Sequence, residues 1–116
     1  MYGPDKIFTT QIVSAVKDAG HAPSRYGLTQ NYPNPFNPST KFDYQLLRAG
    51  RVSLIVYNML GQEVSHLVDK YAGAGIYSAV WDAVSEPSGL YYARMIVSDA
   101  GGNEVYRQIR KVVLIK

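Results

Sequence analysis

The segment Asn31-Tyr32-Pro33-Asn34-Pro35-Phe36-Asn37-Pro38-Ser39-Thr40 constrains this chain more than any other. Three prolines fall within six residues, two of them directly after asparagine. Each proline fixes its own φ and drives the residue before it out of the helical region. No helix can form here. No central strand can run through it either, because proline has no N–H to give to a ladder. Asn34 and Asn37 can turn their side-chain oxygens toward backbone N–H groups just downstream, as Asx turns do. A flexible tether would be rich in Gly and Ser instead. The expectation is a stiff, turn-studded segment pinned by one aromatic, Phe36. On this reading Phe36 anchors the segment while most of the fold stands without it.

From Thr40 onward the chain reads as a run of strands. Thr40, Phe42, Tyr44 and Leu46 alternate with Lys41, Asp43 and Gln45, the pattern of a half-buried strand. Ala49-Gly50 turns the chain. Val52, Leu54 and Val56 alternate with Ser53, Ile55 and Tyr57 in a second strand that is largely apolar on both faces. Asn58-Met59-Leu60-Gly61 is a tight connection whose Gly takes positive φ. Gln62 to Val68 makes a third strand and Gly73-Ala74-Gly75 the next break. Tyr77, Ala79 and Trp81 share one face of a fourth. Glu86-Pro87-Ser88-Gly89 turns again, and Leu90 to Ser98 is a fifth, with Tyr91, Ala93, Met95 and Val97 on one face. Asp99-Ala100-Gly101-Gly102-Asn103 is a hairpin loop, and Glu104 to Ile115 the last strand. Short, evenly spaced strands with turn chemistry between them predict an all-β sandwich or barrel. No long helix fits after residue 25, which excludes parallel crossover units.

Residues 1–25 read differently. Phe8, Ile12, Val16 and Ala19 fall at helical spacing, while Thr9, Thr10, Ile12 and Val13 suit a strand, and both readings stand. Gly20-His21-Ala22-Pro23-Ser24 reads as a linker. The division expected is a linker or remnant of a preceding region over 1–25 and one β domain over 26–116. The first six residues, Met1 to Lys6, lack the basic-then-apolar order of a signal peptide. No apolar run approaches the ~18 residues that span a bilayer, so no membrane insertion is expected.

The chain has 116 residues, 47% of them apolar, enough for a packed core. It has no cysteine, which excludes a disulfide framework, a Cys-based zinc site and a thiol nucleophile. Net charge is +3, too mild to imply a nucleic-acid partner. Arg107, Arg110, Lys111 and Lys116 alternate with strand-forming residues and read as a solvated strand face.

No catalytic constellation stands out. His21 and His66 lie in different segments without metal-ligand spacing. Asp82 fits a turn bond better than acid–base chemistry. There is no G-x-S-x-G elbow, and Gly101-Gly102 lies in a hairpin, not in a phosphate loop. Ten tyrosines could build a sugar-stacking platform, with Tyr57, Tyr71, Tyr77, Tyr91, Tyr92 and Tyr106 available. Tyr at alternating strand positions more often packs in the core or across strands. Trp81 reads as a core pin between the sheets, packed by Val56, Tyr91 and the strand of Phe42. Lastly, Val112-Val113-Leu114-Ile115, bracketed by Lys111 and Lys116, is apolar at every position. Such a run is expected to pair inside a sheet and to be covered on both faces, where a chain end is usually frayed and polar.

With these residues in view, the chain resembles the type A C-terminal sorting domains of the type IX (Por) secretion system. Leu28 to Thr40 looks like their opening motif. Val56 to Val64 resembles their strand–Leu-Gly–strand hairpin, and Tyr77 to Asp82 their Trp-Asp strand. Ser88 to Met95, with Gly89 and Tyr91, resembles their Gly-x-Tyr strand, and Arg110 to Lys116 their basic–apolar terminus. The resemblance covers Tyr26 to Lys116; Ala83 departs from it, where the family often has Gly. It implies a small immunoglobulin-like antiparallel β-sandwich of about seven strands without a disulfide, akin to a domain of flagellar hook-capping proteins. It also implies a non-catalytic targeting module without a cofactor or a metal. Such a module directs an upstream cargo domain through the outer membrane by way of the type IX machinery, from the periplasm to the cell surface or medium. The structural motif would be Asn34, Pro35, Phe36, Asn37, Pro38, Trp81, Gly89 and Tyr91. The sorting signal would be Lys111, Val112, Val113, Leu114, Ile115 and Lys116. The competing expectation is an accessory carbohydrate-binding or spacer module of a secreted glycoside hydrolase.

Overall fold

Period-two alternation sorts each strand into a buried row and a wet row. The computed structural model, which describes residues 23–116, contains β1 (Gly27–Leu28), β2 (Ser39–Leu46), β3 (Gly50–Tyr57), β4 (Glu63–Ala72), β5 (Gly75–Asp82), β6 (Gly89–Ser98) and β7 (Glu104–Leu114). The helix-or-strand expectation over Phe8 to Ala19, His21 and most of the expected linker lie outside the described residues. Two antiparallel sheets form, ordered β1-β2-β5 and β4-β3-β6-β7. The chain crosses between them after β2, after β4 and after β5, while β3-β4 and β6-β7 are hairpins. This is the immunoglobulin-like sandwich, built without a disulfide because the chain has no cysteine.

The core is the set of inward rows. Phe42, Leu46, Val52, Leu54, Val56, Ala93, Met95, Val97 and Val112 are all fully buried. Ile55 is also buried, so β3 is apolar on both faces, as suits a strand flanked on both sides. Three aromatics close one end: Trp81 lies 5.3 Å from Phe36 and 5.2 Å from Tyr91, ring centre to ring centre. The Tyr91 hydroxyl donates to the Pro87 carbonyl at 2.5 Å, four residues upstream. A tyrosine early in the sixth strand, bonded back to the preceding turn, is the tyrosine corner of immunoglobulin-like sandwiches. Burial raises the Tyr91 phenol above its ordinary value, with the Glu86 carboxylate adding to it.

Three features depart from the sequence expectation. β1 is two residues long, too short for its alternation to show. β4 runs on past Val68 to Ala72 because Gly50, Arg51 and Val52 of β3 extend the ladder opposite Ala72, Tyr71 and Lys70. Gly50 belongs to β3 and not to the turn, which is Leu47 to Ala49. A Cβ on Gly50 would sit 2.6 Å from the Ser98 carbonyl oxygen, so this glycine is set by close approach of β6. Gly61, by contrast, has the positive φ expected, 81°, in a turn where Asn58 Oδ1 accepts from the Leu60 and Gln62 N–H groups.

The proline-rich segment straps the two sheets together. Tyr32 exchanges both backbone bonds with Lys41 of β2, at 2.9 and 3.0 Å. Four residues later the Phe36 N–H donates to Val113 O and the Ile115 N–H donates to Phe36 O, both at 3.0 Å. That is a parallel bridge to β7, so the strap leaves one sheet at Tyr32 and joins the other at Phe36. All three X-Pro bonds in it are cis. Asn31, 3% exposed, carries the bend: its Nδ2 donates to Pro33 O at 3.0 Å and to Thr40 Oγ1 at 2.9 Å. The Thr40 hydroxyl donates to the same carbonyl at 2.8 Å, so this buried polar cluster is satisfied. The expected local turns do not form. Asn34 Oδ1 instead accepts the Val113 N–H at 3.1 Å, and Asn37 makes no side-chain bond among the described residues. Phe36 is 2% exposed and belongs to the same core cluster as Trp81, so the strap is part of the core and not an appendage to it.

Candidate functional site

The motif residues and the residues of the last strand come from opposite ends of the β domain's sequence, yet the fold brings them to one place. In β7 the side chains of Tyr106, Gln108, Arg110, Val112 and Leu114 turn inward and those of Arg107, Ile109, Lys111 and Val113 turn outward, with Ile115 exposed just past the strand's end. Val112 and Leu114 are fully buried beneath the aromatic trio's end of the sandwich. The backbone here is held from both sides: β6 sets Tyr91 opposite Val112 and Gly89 opposite Leu114, and the strap bonds Val113 and Ile115 through Asn34 and Phe36. Gln30 Nε2 donates to Lys111 O at 2.7 Å. Beyond β7, the Lys116 N–H donates to Ser88 Oγ at 2.9 Å and its ammonium to Val84 O at 2.6 Å. Residues 111–116 are therefore tied to β6, to the strap and to the turn that precedes β6.

The expectation that Val112 to Ile115 is covered on both faces does not hold. Val113 is half-buried and Ile115 is 53% exposed. The reason is position: the outer face of the four-stranded sheet has no second layer on it among the described residues. The late cations do not form one face either. Arg107 turns outward to Glu104, whose carboxyl the guanidinium holds below its usual range. Arg110 turns to the other side, where its Nε donates to Leu28 O of β1 at 2.8 Å. Lys111 points outward from the sheet, opposite Tyr92 in the register.

That register adds residues that spacing could not supply. Tyr57, Tyr92 and Lys111 form one row across the outer face, and Ile55, Arg94 and Ile109 the next. The Arg94 guanidinium lies 4.7 Å from the Tyr57 ring centre, a cation–π contact, and its buried Nε has no hydrogen-bond partner among the described residues. Leu90 stands opposite Val113. Lys111, Val113 and Ile115 thus extend an aromatic–basic surface contributed by β3 and β6. Only the strand pairing, not any motif, could have revealed it.

The remaining motif residues frame this end. The Pro38 carbonyl accepts the Ala83 N–H at 2.9 Å, fixing the strap beside Trp81. Gly89 opens β6 opposite Leu114. Pro35 lies between the two strap residues that grip β7, Asn34 and Phe36. Away from this end, a hollow of about 470 Å³ lies between β1, β2 and β7, walled by Tyr26, Asp43, Tyr44, Tyr106, Gln108 and Arg110. Burial, helped by the neighbouring Tyr77, raises the Tyr44 phenol above its ordinary value.

The other candidates have plain structural roles. Asp82 Oδ1 accepts the Val84 N–H at 3.2 Å, a turn bond. His66 is exposed beside Glu63, 2.6 Å away. Among the described residues no group of three or more His, Cys, Asp or Glu is placed to hold a metal ion. No helix among them is long and apolar enough to cross a membrane. The candidate tyrosines are divided: Tyr44 stacks on Tyr77, Tyr26 on Tyr106, Tyr91 is buried, and Tyr57 and Tyr92 stand side by side, half-buried, on the outer face of the four-stranded sheet. Among the described residues the two most exposed, Tyr32 and Tyr71, lie on the strap and on β4.

No family model matches this sequence, and no curated protein matches it significantly. Among solved structures, it is similar to dimeric latent PorU from Porphyromonas gingivalis, at 25% identity and a TM-score of 0.59. The match covers 83% of this chain and 10% of the PorU chain. The chain therefore spans about a tenth of the protein it matches. The likeness gives this sandwich a fold related to the Por, type IX, secretion system, the same system to which the sequence motifs point.

Proposed function

We propose that this domain is a non-catalytic sorting module, which directs a larger protein across the outer membrane through the type IX machinery. One observation carries the reading: the strap motif and residues 111–116 form a single bonded unit. A signal that machinery reads on β7 needs that strand held in one conformation. The strap supplies this through Phe36 and Asn34, and the Lys116 contacts complete it. The recognised surface is then the outward row Lys111, Val113 and Ile115 with Tyr92 beside it. Its charge steers and selects a partner more than it adds affinity. The likeness to a part of PorU supports the same system. The carbohydrate-binding alternative has less support: Tyr44 stacks on Tyr77, Tyr26 on Tyr106, Tyr91 is buried, and on the face that keeps Tyr57 and Tyr92 the Arg94 guanidinium covers the Tyr57 ring.

A reporter fused ahead of this chain, in a host with the type IX system, is expected to reach the surface or medium. Removing residues 112–116, or appending a bulky domain after Lys116, is expected to hold it in the periplasm. Lys111→Glu keeps the fold and isolates the surface from the core: it should lower export while leaving the thermal midpoint unchanged. Equal export of intact, truncated and capped fusions would end the sorting reading.

A further inference from the structure

We infer that the open edge of β5 pairs with the same edge of a second copy of this chain, joining two three-stranded sheets into one. This goes beyond the export reading and stands or falls without it. Along a strand, N–H and C=O groups alternate between the two sides. The Ala83 N–H points to β2, where it meets Pro38 O, and the β2-β5 ladder runs without a bulge from Ser39↔Asp82 to Leu46↔Gly75. By that alternation Tyr77, Ala79 and Trp81 face β2, and Ile76, Ser78 and Val80 turn their backbone groups to the open side. Among the described residues no strand lies there.

Natural sheets blunt such edges with charge, proline or brevity. The other edges here are blunted: β4 carries Glu63, His66, Asp69 and Lys70, β7 carries Glu104, Arg107 and Lys111, and β1 has two residues. β5 from Gly75 to Trp81 carries no charge and no proline, and its outward side chains Ile76 and Val80 are 49% and 62% exposed. The sequence is also self-complementary about Ser78. An antiparallel pairing centred there sets Ser78 against its own copy, Ile76 against the partner's Val80, and Val80 against the partner's Ile76. Each of these opposed pairs exchanges both backbone bonds, because these are the residues whose groups face out. The flanking β2 side chains fit as well. Lys41 lies beside Val80 and Gln45 beside Ile76, so the dimer row reads Gln45, Ile76, Val80, Lys41 with no like charges opposed. A shift of the centre to Ala79 would set Asp82 against Ile76 and lose the apolar match.

The test uses the whole chain. Sedimentation from roughly 1 µM to 1 mM, the range of weak association, should show a reversible dimer. Val80→Lys, at an exposed position, should raise the dissociation constant about tenfold or more by charging the edge. Because the chain has no cysteine, Ser78→Cys introduces the only thiol. Under mild oxidation it should cross-link several-fold faster than Val84→Cys, an exposed site off the strand. A wild-type chain that stays monomeric over the whole range overturns the inference. So does association that Val80→Lys leaves intact, or a Ser78→Cys rate no greater than the control. Loss of export by Val80→Lys in a monomeric wild type would assign the edge to a strand of another protein and would equally overturn self-pairing.

Discussion

Phe36, Trp81 and Tyr91 decide whether this domain holds together, because each belongs to a different segment and they meet only in the core. Phe36 comes from the strap, Trp81 from β5 and Tyr91 from β6, and all three are at most 3% exposed. Truncating a buried aromatic costs ~3–5 kcal/mol, a large share of the ~5–15 kcal/mol that holds a domain folded. Trp81→Ala is therefore expected to unfold the domain or nearly so, seen as loss of a cooperative thermal transition. Phe36→Ala should weaken the whole sandwich and not the strap alone. Amide protection should fall together around residues 31–40, at Leu54 and in β7, where an anchor outside the core would spare Leu54. Gly50→Ala tests a different constraint. A methyl group must displace β6 at Ser98, at a cost of ~1–3 kcal/mol, and a midpoint equal to wild type would contradict that close approach.

At the level of elements, the β6-β7 hairpin is held by one carboxylate. Asp99 Oδ1 accepts from the Asn103 and Gly101 N–H groups, each at 2.9 Å. Those donors favour the charged form, the Asn103 N–H most, and lower the Asp99 carboxyl below its ordinary value. Linkage fixes the direction of the pH effect. The bond's contribution is present above the unfolded-state value, near 3.9 for an Asp side chain, and is lost as pH falls through the lower folded one. A carboxyl titration followed by NMR should place the Asp99 midpoint below that of a free Asp side chain, and a midpoint at or above it would contradict the turn geometry. The strap is the other element of note. Its stiffness is written in its prolines, but its purpose is not. Turn chemistry alone would have Asn34 and Asn37 close local turns, yet Asn34 gives its oxygen to Val113, far along the chain. Asn31, which no turn rule singles out, holds the buried bend.

For the whole molecule, one shared core predicts one transition. The single tryptophan reports the aromatic trio, and far-ultraviolet dichroism reports both sheets. The two unfolding curves in denaturant should coincide, as two-state behaviour requires. An earlier fluorescence transition would mean that the strap end melts separately. The sequence by itself determined the strand rows, because period-two alternation is a local property: Phe42, Leu54, Met95 and Val97 are buried where that alternation puts them. It determined too that residues 33–38 could be neither helix nor central strand, since proline acts on its own backbone and its neighbour's. The pairing of those rows was beyond its reach. The parallel bridge of Phe36 to Leu114, the row of Tyr57, Tyr92 and Lys111, the turning of Arg110 toward Leu28 and the β5 edge left open among the described residues all depend on residues far apart in the chain. Spacing rules act over a few residues, whereas register between distant strands is set by how both sheets bury one core. The surface read as a sorting signal is therefore made of two parts: a local apolar-basic run, legible in the chain, and the neighbours that packing set beside it.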